Sequence, residues 1–169
     1  MSKLQRGFAV ALFATLAGVL NAGPAQAQGA AAFELVTPAE ARQSALAEAQ
    51  ATPPSRTRQM VVPRPNAPAI RVLTPSAPDT AVPAPVRIQV AFQPAPGTRI
   101  VPSSLRVLYG LLKIDLTERL RPHATVSEEG FLVERAQMPE GQHRLILQVA
   151  DDQGHSTEQE LRIRVAAAQ

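Results

Sequence analysis

The C-terminal half of the sequence predicts an all-β domain built as a two-sheet sandwich. Strict apolar–polar alternation returns in three separate segments, turn residues recur at short intervals between them, and the stretch is too short for a large barrel. "VRIQVAF" puts Val86, Ile88, Val90 and Phe92 on one face and Arg87 and Gln89 on the other. "HRLILQV" repeats the pattern with Leu145, Leu147 and Val149, and "ELRIRV" with Leu161, Ile163 and Val165. These apolar positions are the expected core. "PAPG", "VPSS", "SEEG" and "PEG" supply the turns.

Between those strands, "SLRVLYGLLKIDLTERL" (Ser104 to Leu120) carries two patterns. Leu105, Val107 and Tyr109 alternate as in a strand. Leu105, Leu108, Leu112, Leu116 and Leu120 lie close to one helical face. Gly110 weakens a helix and suits a turn, so strand–turn–strand is the expected arrangement.

Three zones precede the sandwich. Residues 1–27 read as a signal peptide: Lys3 and Arg6 lead into the apolar run "GFAVALFATLAGVL", and Ala25 and Ala27 close it at signal-peptidase spacing. The run is shorter than the roughly 18 apolar residues of a membrane span, and no second long run follows. Residues 28–51 predict a short helical segment. Thr37 can cap it, Pro38 suits its first turn and Glu40 completes a capping box. Its apolar face is thin, with Ala41, Ala45, Leu46 and Ala49. Residues 52–85 hold nine prolines and read as a disordered, extended linker. "MVV" and "IRVL" inside it could pair transiently as strands. Residues 86–166 are the sandwich domain.

Composition narrows the chemistry. The chain has no cysteine, which removes a lipoprotein anchor, disulfide staples and thiolate metal sites. Lys3 and Arg6 leave with the signal, lowering the net charge of +3 by two. Between residues 86 and 165, ten Arg and Lys face ten Asp and Glu. That balance, with five Phe and one Tyr in the whole chain, argues against a nucleic-acid partner.

"PEGQHRLILQVADDQGHSTEQELRIRV" (Pro139 to Val165) resembles the last two strands of bacterial immunoglobulin-like and fibronectin-III-like domains. In these a Pro-x-Gly-x-(Tyr/His) start leads to an alternating strand, Asp-x-x-Gly and a closing strand. "KIDLT" (Lys113 to Thr117) resembles an earlier turn of the same domains. The likeness covers about 80 residues, Ala84 to Ala166, and implies an immunoglobulin-like sandwich. It also implies that His143 stands where a corner tyrosine often does, packing at the sandwich edge and bonding a backbone carbonyl. The chain lacks the tryptophan and cysteine pair of antibody domains.

Asp151, Asp152, His155, Glu158 and Glu160 crowd one turn. Asp151, Asp152 and His155 are the candidate metal ligands, since carboxylate and imidazole suit zinc and further oxygens would be needed for calcium. The competing reading is turn chemistry, with an Asp bonding turn amides and Gly154 at positive φ. Ser103, Ser104, Ser127 and Ser156 lie in no Gly-x-Ser-x-Gly elbow. His123 is tied to no serine, and Glu128 and Glu129 read as a solvated turn.

The expected function is a non-catalytic module with no cofactor, periplasmic or secreted, that binds an envelope protein or a cell-wall polymer. Two alternatives stand beside it. One is an accessory subunit docking a partner through Phe33–Ala51, with Phe33, Leu35 and Val36 as anchors. The other is a metal-binding module at Asp151–Glu160.

Overall fold

Period-two alternation makes strands of the predicted segments in the computed structural model, and each turns its apolar face inward. The structure describes residues 32–51, 66–76 and 80–167; the expected signal segment lies outside them. In chain order the elements are β1 (Phe33–Glu34), α1 (Pro38–Gln50), β2 (Ala69–Thr74), β3 (Ala81–Val82), β4 (Val86–Gln93), β5 (Arg106–Tyr109) and β6 (Ile114–Asp115). They continue with α2 (Thr117–Leu120), β7 (Ala124–Val126), β8 (Gly130–Gln137), β9 (Gly141–Ala150) and β10 (Ser156–Val165). No helix among the described residues is long and apolar enough to cross a membrane.

The strands form two five-stranded sheets. In the first, β8 lies beside β4, which lies beside β2, while β1 and β7 also pair with β8. In the second the order is β3–β10–β9–β5–β6. Most pairs are antiparallel; β1 runs parallel to β8 and β3 parallel to β10. The two inner faces meet in one apolar core. Val86, Ile88, Val90 and Phe92 enter it from β4, Leu145, Leu147 and Val149 from β9, and Leu161, Ile163 and Val165 from β10. Every core position read from the alternation is buried. Each such side chain contributes roughly 1.5–3 kcal/mol of transfer free energy.

The stretch from Ser104 to Leu120 resolves into strand, turn and strand, followed by a helical turn. β5 and β6 pair across the Gly110–Lys113 turn, where the Lys113 amide donates to the Gly110 carbonyl at 3.3 Å. Both patterns in the sequence have a cause. Leu105, Val107 and Tyr109 enter the core from β5 and its approach, while Leu116 and Leu120 enter it from α2 and its N-cap. Leu112 belongs to neither and is 56% exposed.

Two domain boundaries need correction. The sandwich does not begin at residue 86, because β1 pairs with Ala136 and Gln137 of β8, and Leu35 and Val36 are fully buried in the core. The Leu35 amide donates to the Gln137 carbonyl at 2.9 Å. Leu35 and Val36, expected as anchors for a partner, are thus occupied inside the chain, and Phe33 stacks on His123 with ring centroids 4.0 Å apart. Nor is residues 52–85 wholly linker. "IRVL" lies in β2, whose Ile70 and Val72 pack on the core, and β3 pairs with β10. Prolines at 68, 75, 83 and 85 flank these strands rather than interrupt them, the placement that strand geometry tolerates. "MVV" lies outside the described residues.

Helix α1 forms as its capping box predicts. Thr37 Oγ1 accepts from the Glu40 amide at 3.2 Å, and the Thr37 amide donates to Glu40 Oε2 at 2.9 Å. The buried residue of α1 is Ser44, whereas Leu46 of the expected apolar face is 61% exposed. Ala41 packs on the core, and polar contacts add to that small apolar area in holding the helix.

Candidate functional site

The β9–β10 turn brings the sequence-predicted ligands close, then uses their oxygens. Asp151 is buried, and its Oδ1 accepts from the amides of Gln153 and His155 at 3.0 and 2.8 Å. Its Oδ2 lies 3.1 Å from His155 Nδ1. Gly154 takes φ +81°, and its amide donates to the Asp151 carbonyl at 3.1 Å. Burial opposes ionisation of Asp151, but the bonds from His155 and Gln153 outweigh it and hold the carboxyl below its ordinary pKa.

Asp152 works in another direction. Its Oδ1 accepts from the Arg99 amide at 3.1 Å, and its own amide donates to the Arg99 carbonyl at 2.9 Å. Glu158 meets Gln148 and Lys113, and Glu160 lies between Arg144 and Arg162. Among the described residues, no group of three or more His, Cys, Asp or Glu is placed to hold a metal ion. The geometry is that of an aspartate-bonded turn.

A second buried polar set joins α1 to the sandwich. His143 Nε2 lies 2.7 Å from the Pro139 carbonyl oxygen, the kind of bond expected of this position. A carbonyl only accepts, so Nε2 carries the proton. In the neutral ring Nδ1 then accepts from the Tyr109 hydroxyl, 2.9 Å away. Burial pushes the His143 pKa down, against the Pro139 bond and the charge of Glu48. Burial likewise pushes the Tyr109 hydroxyl up, while the neighbouring Ser44 side chain opposes the shift. Ser44 also packs on Gly110 (φ +63°), where an added Cβ would collide with the serine hydroxyl.

A salt bridge closes the other side of α1. Arg119 of α2 donates to both oxygens of Glu40 at 2.8 and 2.9 Å and to the Leu35 carbonyl at 2.8 Å. The Arg119 bonds lower the Glu40 pKa to about 2; partial burial opposes them and the Thr37 bonds assist. Sequence reasoning missed Ser44 and Arg119. Neither carries a local signal, because their partners lie 65 or more positions away in the chain.

Two of the serines singled out in the sequence bond the backbone. Ser104 Oγ lies 2.6 Å from the Val101 carbonyl oxygen and accepts from the Ala150 amide at 2.8 Å. Ser127 Oγ accepts from the Glu129 amide at 3.3 Å. An open cleft of about 420 Å³ lies between β2 and β3, with Pro75, Val82, Pro83, Pro85, Val86 and Arg87 among its walls. Comparison with protein-family models, curated proteins and solved structures returns no match.

Proposed function

We propose that the chain is a non-catalytic, exported immunoglobulin-like module that binds a protein or polymer of the cell envelope. The strand order carries the fold reading. β2–β4–β8–β7 matches the order A–B–E–D, and β10–β9–β5–β6 matches the G–F–C sheet with one added strand. The early edge strand is split between the sheets, β2 in one and β3 in the other. His143 bonds the Pro139 carbonyl, the kind of contact a corner residue makes in such sandwiches, and this supports the reading.

The non-catalytic reading rests on how the buried polar side chains are used. Asp151 and His143 are hydrogen-bonded inside the fold and Ser44 packs on Gly110, so none is poised toward a cavity. Export rests on the sequence of residues 1–27. The test is fractionation of a producing cell, with sequencing of the mature N-terminus and recovery of bound wall or envelope protein. The proposal expects cleavage after Ala27 and a ligand lost when residues 33–166, which build the sandwich, are removed. Cytoplasmic retention would overturn export. A ligand still held without those residues would overturn the role given to the sandwich.

A further inference from the structure

Turns ordinarily carry Gly, Asn, Asp, Pro or Ser at their tips, because these residues suit the backbone and the solvent. The β5–β6 turn carries leucines at both central positions. Leu111 and Leu112 are 39% and 56% exposed, and Lys113 takes φ +51°, a conformation that lysine rarely adopts. A local rule broken at an exposed site points to a contact made with something else.

The surface beside the tip has its own bias. The Gly110 amide donates to the Arg144 carbonyl at 2.8 Å, which places the turn against β9. Arg144 stands opposite Arg162 on β10, and Arg164 follows on the same face opposite Gln142. Glu160 is shared by Arg144 (2.5 Å) and Arg162 (2.6 Å). Lys113 reaches Glu158 at 3.7 Å, so the turn leans toward this face. The outer face of the second sheet and its turn thus carry Arg106, Lys113, Arg144, Arg162 and Arg164 against Asp115, Glu158 and Glu160.

We propose that this end of the second sheet docks on an anionic phospholipid surface, with Leu111 and Leu112 entering the headgroup boundary and Arg164, which forms no ion pair among the described residues, meeting lipid phosphate. Area and shape favour a bilayer over a protein. A stable protein interface buries about 800 Å² per partner in a complementary surface, far more than two leucines at a convex tip supply. A bilayer needs no matching shape, and a small apolar insertion joined to basic side chains gives weak, reversible binding. The inference needs only the turn and its face and does not rest on the immunoglobulin reading.

The test is vesicle flotation of residues 28–169, without the apolar run of residues 1–27. Wild type is compared with Leu111→Ser/Leu112→Ser and with Arg164→Gln, on vesicles of phosphatidylcholine alone and with phosphatidylglycerol added. The serine pair is expected to lower partition about tenfold or more on anionic vesicles. Arg164→Gln is expected to lower it about fivefold on anionic vesicles and hardly at all on neutral ones, with added salt acting as that variant does. Unchanged far-ultraviolet circular dichroism keeps the comparison among folded chains. Equal flotation of the serine pair and wild type overturns the proposal. So does a tip that fails on vesicles yet is required to retain an envelope protein.

Discussion

The β9–β10 turn and the β5–β6 turn lie in the same sheet and treat their side chains in opposite ways. The first is rich in groups that bind metals, and hydrogen bonds within the fold engage them: buried Asp151 ties two amides and an imidazole, and exposed Asp152 ties the Arg99 backbone. The second has no such chemistry at its tip and presents two leucines outward. Residue type alone therefore does not say which turn is a site. What decides is whether the side chains are already satisfied within the fold.

The largest expected effect comes from removing the satisfied group. Asp151→Ala leaves the Gln153 and His155 amides without their acceptor in a closed turn. Urea unfolding should show a greater loss of stability for Asp151→Ala than for Gly110→Ala or Glu40→Gln, and zinc or calcium should leave the wild-type midpoint unchanged. A midpoint raised by either ion would support the metal reading.

Gly110→Ala should cost about 2 kcal/mol, since it combines a positive-φ penalty with a clash against Ser44. Limited proteolysis should then cut near α1 before it cuts the sheets. Uniform cutting would mean that α1 is held by something other than this seam.

Acid should loosen the protein in two stages. His143 has a folded pKa below its ordinary 6.5, so its contribution is complete above 6.5 and is lost as pH falls through the folded value. Glu40 falls from 4.5 to about 2, so its contribution is present above 4.5 and is lost as pH drops toward 2. Replacing His143 with Phe should flatten the upper stage of the stability–pH curve. Glu40→Gln should flatten the lower stage and cost about 1–2 kcal/mol at neutral pH. The smallest expected effect is that of Leu111→Ser/Leu112→Ser, within about 0.5 kcal/mol of wild type in unfolding. A large loss would show that the leucines pack inside the fold.

Local pattern explains what the sequence made legible. Alternation at Val86–Phe92, Leu145–Val149 and Leu161–Val165 identified the core because one buried face leaves a period of two. The Thr37–Glu40 cap identified α1 because both partners lie within one turn. Contacts between distant segments left no such trace. The entry of Leu35 and Val36 depends on Gln137, and the orientation of α1 depends on Arg119 and Gly110. β2 was obscured because the prolines around it suggest an extended linker, although they only bound the strand. At the candidate metal site the residues were legible, but their hydrogen-bond partners were mainly backbone amides, which composition cannot display.

Amide hydrogen exchange followed by NMR tests the contrast between the two turns most directly. The account predicts slow exchange at Gln153 and His155, whose amides are bonded to a buried carboxylate, and fast exchange at Leu111 and Leu112 on the exposed tip. Fast exchange at Gln153 and His155 together with protection at Leu111 and Leu112 would contradict it.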